Sequence, residues 1–175
     1  MLDYDRILCV IELLKNFDNG PKLASKLVQN YFRSNKKIGS KDRKFIANCF
    51  WNIIKHQNKI NWHLTNNNLK VSFERQIILE LFFLNINYNK NFKDNDLHLL
   101  QNLNFKKFIN KDMPECVLYE LPDFLLESIK RNFKNDWKNI ALSLNQETYV
   151  DLRVNSLKNK TRDEILVSLR EIDVP

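Results

Sequence analysis

Apolar residues recur every three or four positions through most of this chain, and that spacing predicts helices. Ile7, Val10, Ile11 and Leu14 share one face over residues 3–17, and Asn19-Gly20-Pro21 stops that helix. From about Pro21 a second helix carries Ala24, Leu27, Val28 and Tyr31 on one face. Ser40 is read as the N-cap of a third, with Asp42 in the first turn, where a negative charge suits the helix dipole. Ile46, Cys49, Phe50, Ile53 and Ile54 continue it. A short fourth helix is expected from Asn58 to Leu64, followed by a loop, Thr65-Asn66-Asn67-Asn68. Phe73, Ile77, Ile78, Leu81, Phe82 and Leu84 then predict a helix that is apolar on more than one face, and hence the most buried of the bundle.

Asn85 to Asn95 is a polar connector, and Leu97, Leu99, Leu100 and Leu103 predict a further short helix. The pattern changes near Met113-Pro114. Leu121-Pro122-Asp123 opens a helix with proline in its first turn, continued by Leu125, Ile129 and Phe133. Trp137, Ile140, Ala141 and Leu144 predict one more. From Thr148 to Val154 the period becomes two: Val150, Leu152 and Val154 lie on one face, Tyr149, Asp151 and Arg153 on the other. Thr161 and Glu164 form a capping box before Ile165, Leu166 and Leu169, so a helix follows that strand. A lone strand cannot satisfy its own backbone, and nothing before it reads as a sheet partner. The chain is therefore expected to stop inside a folding unit, with an orphan strand at 148–154 that could pair two copies into a dimer.

Composition agrees with helices. Two glycines and four prolines are too few for a turn-rich all-β protein, and 43% hydrophobic residues supply a core. The net charge of +7 gives a surface that attracts polyanions without saying which. Cys9 and Cys49 sit in apolar runs, which reads as small buried hydrophobes in a reducing cytoplasm. The three cysteines show no zinc spacing, and His56, His63 and His98 do not cluster with them. Asp3 and Asp5 precede any apolar stretch, unlike a signal peptide, and Ile77–Leu84 is too short to span a bilayer. A cytoplasmic protein with no metal and no membrane partner is the expectation.

Arg33, Lys36, Lys37, Lys41, Arg43 and Lys44 surround a single acid, Asp42, where the third helix begins. Such a patch beside free helix amides suits RNA phosphates; it equally suits a solvated loop with Arg43 paired to a neighbouring helix. Arg153 and Asn155, followed by Lys158, Lys160 and Arg162, form a second basic stretch beside the predicted strand. They could grip an RNA backbone, or Asn155 could make a turn and Arg153 pair with Asp151 or Asp163. Trp51 and Trp62 offer stacking surfaces, but at these positions core or core-edge packing is the plainer reading. Glu12, Glu74, Glu80 and Glu127 are read as isolated acids on helix faces, without a paired-carboxylate arrangement. Gly20 and Gly39 stand alone, so there is no glycine-rich phosphate or dinucleotide loop. No catalytic, cofactor-binding or metal-binding residue is proposed.

Several stretches together resemble one family. Arg6-Ile7 through Ile11-Glu12-Leu13-Leu14, and Gly39-Ser40-Lys41-Asp42-Arg43 with Phe45-Ile46-Ala47, are similar to the first helix and the start of the third helix of a NusB-like domain. Glu120-Leu121-Pro122-Asp123-Phe124-Leu125 is similar to a Glu-x-Pro-x-Trp-Leu motif, with Phe124 in place of Trp, a departure read as one of packing. Leu152-Arg153-Val154-Asn155-Ser156-Leu157-Lys158, then Thr161-Arg162, resembles a Leu-Arg-Val-Asn-x-Leu-Lys signature. In this order the motifs resemble the RsmB/Sun (Fmu) family of bacterial ribosomal RNA cytosine-C5 methyltransferases. The resemblance implies a mainly α chain: a NusB-like helical bundle over residues 1–112, then linker helices and the first β-α of a truncated α/β (ferredoxin-like) RNA-binding domain over 113–175. It also implies small-subunit ribosomal RNA as partner, and S-adenosylmethionine as the cofactor of a further Rossmann-like domain. In the family that domain carries two working cysteines, one in a Pro-Cys pair and one in Thr-Cys-Ser. Cys9, Cys49 and Cys116 match neither context, so this chain alone is expected to be inactive. A non-enzymatic NusB-like adaptor in antitermination or ribosome assembly is the alternative. The Leu-Arg-Val-Asn segment argues against it, because such an adaptor would end with its bundle.

Overall fold

Ile7, Val10, Leu13 and Leu14 are buried along one face of the first helix, α1 (Asp3–Asp18). The computed structural model describes residues 3–20, 23–84, 109–146, 153–155, 157 and 161–171. Among these the chain is mainly α-helical and contains no strand. It divides into two units, Met1–Asn145 and Gln146–Pro175.

In the first unit α1 is followed by α2 (Ala24–Ser34) and α3 (Ser40–Lys55). Leu27 and Val28 of α2, and Ile46, Cys49, Phe50 and Ile53 of α3, are the buried positions, as their spacing predicts. The start of α3 differs from expectation. Gly39 is its N-cap, extended at φ −68° and ψ 163° with no side-chain hydrogen bond, and Ser40 is the first helical residue. His56 alone separates α3 from α4 (Gln57–Asn66). The next helix, α5 (Phe73–Phe83), starts at Ser72, whose hydroxyl accepts the Arg75 amide at 3.3 Å. Six consecutive residues of α5, Gln76 to Leu81, are buried. Six residues go round more than one full turn, so α5 is enclosed on all sides, as its apolar pattern requires. Helices α1, α3 and α5 pack against one another; α2 lies on α1, and α4 lies on α3 and α5.

One of those six is Glu80, only 1% exposed. Reading it as an isolated acid on a helix face is wrong: both carboxylate oxygens lie 3.4 Å from His56 Nδ1. A carboxylate in an apolar core needs such a partner, and the α3–α4 junction provides it. Nor are Glu12 and Glu127 isolated. Glu12 accepts the Tyr31 hydroxyl at 3.0 Å, and Glu127 lies 3.5 Å from Lys130.

A second hydrophobic cluster forms further along the first unit from α6 (Glu115–Leu118), α7 (Asp123–Phe133) and α8 (Trp137–Ser143), with a 3-10 turn at Lys134–Asp136. Tyr119, Leu121, Leu126, Ile129 and Ala141 are its buried residues. Pro122 is the N-cap of α7, one position before the first turn where it was expected. Phe124 is 77% exposed, so its ring contributes little packing, contrary to expectation; it points away from the Leu126–Ile129 face.

α6 ends in a Schellman motif, with the Leu121 amide donating to Cys116 O (3.1 Å) and the Glu120 amide to Val117 O (3.2 Å). The C′ position of that motif is left-handed and usually glycine; here it is Glu120 at φ 50°. Its carboxylate accepts the backbone amides of Asn58 (3.1 Å) and Lys59 (2.9 Å) in the first turn of α4. A side chain about sixty residues away thus does the work of a helix cap.

In the second unit α9 (Arg162–Glu171) begins with the predicted capping box: the Thr161 amide donates to Glu164 (2.7 Å) and the Glu164 amide to Thr161 Oγ1 (3.3 Å). Residues 148–152 of the predicted strand, the connector 85–95 and the helix predicted over 97–103 lie outside the described residues. Arg153, Val154 and Asn155 carry no regular secondary structure. The boundary expected at 112/113 falls between the two hydrophobic clusters and inside the first unit.

Candidate nucleic-acid interface

The connector between α2 and α3 has one apolar residue, Ile38, which turns inward while its neighbours stay in water. Arg43 folds it. From the first turn of α3, Arg43 Nε donates to Ile38 O at 2.8 Å and Nη2 to Lys36 O at 3.4 Å, and the guanidinium lies 5.6 Å from the Phe32 ring centre. Arg43 therefore braces the loop. Among the described residues it pairs with no acid of a neighbouring helix.

The acid–base contact across helices belongs instead to Arg6 and Asp42. Arg6 reaches from α1 with Nε 2.7 Å and Nη2 2.6 Å from Asp42 Oδ1. The guanidinium holds the Asp42 carboxyl below the usual aspartate range, against a smaller opposing effect of burial. The one acid of the basic segment is thereby tied to the scaffold. A lowered native value means a contribution to stability that is full above the unfolded value, ~3.9, and lost as pH falls through the native value. Arg6→Gln should thus be less stable than the unaltered chain near neutrality, and thermal melts should show the gap closing with acidification. A gap that persists at the acid limit of folding would contradict this role.

Arg33, Lys36, Lys37, Lys41 and Lys44 are all exposed, and none pairs with a carboxylate among the described residues. Lys41 and Lys44 stand three residues apart on α3, so they share its outward face. An open groove of about 650 Å³ adjoins the connector, lined by Asn16, Lys26, Asn30, Tyr31 and Asn35 among others. Amides in such a groove can exchange hydrogen bonds with sugars or base edges.

The second basic stretch belongs to the other unit and is described by itself. Arg153 and Asn155 are exposed. Asn155 Oδ1 accepts the Leu157 amide at 3.0 Å, an Asx turn, so part of its hydrogen-bonding capacity serves the loop. Lys158 lies outside the described residues. Trp62 is partly buried with its ring 5.2 Å from that of His63, whereas Trp51 is 39% exposed.

Neither Cys49 nor Cys116 has the environment of a nucleophile. Burial pushes Cys49 up to about 12, and burial followed by a hydrogen bond to Asp123 raises Cys116. Both shifts run opposite to what a reactive thiolate needs. Among the described residues no three His, Cys, Asp or Glu side chains converge as metal ligands, and no helix is long and apolar enough to cross a membrane. Sequence reading missed the Glu80–His56 and Glu120–α4 contacts. Only Glu80 left a signal, as the single charge inside the run Ile77–Leu84. Comparison with protein-family models, with curated proteins and with solved structures finds no match to this chain.

Proposed function

We propose that this chain is the RNA-binding front region of an S-adenosylmethionine-dependent methyltransferase acting on carbon 5 of cytosine in small-subunit ribosomal RNA. The observation that carries the RNA-binding part is the set of five exposed cations, Arg33, Lys36, Lys37, Lys41 and Lys44, beside an acid already held by Arg6. A phosphate backbone is the polyanion that such an array attracts irrespective of sequence. The methyltransferase part rests on the ordered motifs around Leu121-Pro122-Asp123 and Leu152-Arg153-Val154-Asn155. On this reading residues 148–171 open a ferredoxin-like RNA-binding domain, while the cofactor and both reactive thiols belong to a further, Rossmann-like domain.

Filter binding of small-subunit ribosomal RNA fragments across a salt series tests the proposal. Five phosphate contacts give a slope of log K against log salt of roughly −3.5 to −4.5. A flat dependence would remove the phosphate-contact basis. Calorimetry with S-adenosylmethionine should show no micromolar binding to residues 1–175; binding there would overturn the division of labour.

A non-enzymatic NusB-like RNA and protein adaptor is the second reading, and the observation in its favour is that α1 to α5 close around a hydrophobic core of their own. Loss of cytosine-C5 methylation on deleting the gene would decide against it.

A further inference from the structure

On α3 the outward positions recur at Lys41, Lys44, Asn48, Trp51 and Lys55, a three-four-three-four spacing that keeps one stripe of the helix in view. The first four are exposed and Lys55 is partly so. The stripe carries no acid, and neither Lys44 nor Lys55 pairs with a carboxylate among the described residues. Trp51 does not belong to the core that α3 builds. Phe50, wholly buried, fills that place, and the Trp51 ring stands edge-on to it at 5.4 Å with 39% of the residue left in water. The helical rise places its Cα ~10 Å from that of Lys44 and ~6 Å from that of Lys55. An indole face between ammonium groups offers a base a stacking platform and its flanking phosphates counter-charges.

We infer that Trp51 stacks an unpaired base of the bound RNA, so that the α3 face takes single-stranded rather than fully paired segments. This rests on the RNA-binding reading above and adds to it a strand preference and a contact residue. Duplex RNA keeps its bases stacked on one another and presents only backbone to the lysines. The indole neutralises no phosphate, so its removal acts on affinity without changing salt dependence.

The test uses the full 175-residue chain, a short single-stranded oligouridylate and an RNA duplex of equal length. Trp51→Ala should bind the single strand roughly 5- to 100-fold more weakly, with an unchanged salt slope, and should bind the duplex as before. Trp51→Phe should recover most of the loss. In the unaltered chain the Trp51 indole N–H resonance, assigned by its absence in Trp51→Phe, should move on adding the single strand; this readout stands even where Trp51→Ala fails to fold. A stationary resonance overturns the inference, and so does equal weakening for both RNAs. Wild-type binding by Trp51→Ala, alongside weakened binding by Lys36→Glu/Lys37→Glu/Lys41→Glu, sinks the stacking role and leaves RNA binding standing. If neither variant weakens binding, both readings fall.

Discussion

Charge reversal at Lys36, Lys37 and Lys41 together is expected to weaken binding of ribosomal RNA fragments on the order of 100-fold near ~0.1 M salt. Each lysine that contacts phosphate contributes about 0.7 to 0.9 to the salt slope, so losing three lowers it by about two and, relative to molar salt, removes about two decades of affinity. The weakening should be alike for unrelated RNA sequences, because phosphates carry no sequence information. Stability should barely change, since all three side chains are exposed and unpaired with any described carboxylate. Arg43→Glu makes the informative contrast. It should lower stability as well as binding, because its guanidinium holds Ile38 O and Lys36 O. A triple reversal that leaves the slope untouched would move the RNA away from this face.

Glu120→Ala should destabilise the chain by about 2–3 kcal/mol. It removes the acceptor of two first-turn amides of α4, worth ~1 kcal/mol as a cap, and with it the partner of the Lys59 ammonium 3.9 Å away. Glu120→Gly loses the same side chain but relieves the left-handed backbone at φ 50°, so it should be milder by about 1 kcal/mol. Urea midpoints give both values, and exchange of the Asn58 and Lys59 amide protons should accelerate in either variant. Equal losses for alanine and glycine would refute the left-handed conformation. Unchanged exchange would refute the cap.

The pH dependence at Glu120 has the opposite sign to that at Asp42. Burial pushes the Glu120 carboxyl up, against the pull of the Lys59 and Asn58 amides and the Lys59 ammonium. The folded state then holds the proton more tightly than the unfolded chain does. Stability from this group falls as pH climbs from the ordinary glutamate range, ~4.3, through the raised native value. Glu120→Gln, which cannot titrate, should lack that decline.

The helices were largely legible along the chain. Ile46, Cys49, Phe50 and Ile53 form the buried face their spacing predicts, and the Thr161–Glu164 box closes as read. Helix hydrogen bonds join residues four apart, so the information that makes a helix lies within one turn of sequence. The exposed lysines at 36, 37, 41 and 44 were legible for the same local reason: charge stays in water unless something distant calls it inward.

What calls it inward was decided elsewhere. Arg6 meets Asp42, His56 meets Glu80, and Glu120 reaches the start of α4, across separations of 36, 24 and about 60 residues. No spacing rule connects such positions, because their approach follows from how α1, α3 and α5 close around one core and how α6 comes to rest against α4. The same closure decided that Phe50 points inward while Trp51, its neighbour in sequence, faces water. Local periodicity determines which residues can share a face; only the packed helices determine which faces meet, because contact depends on the path of the whole chain.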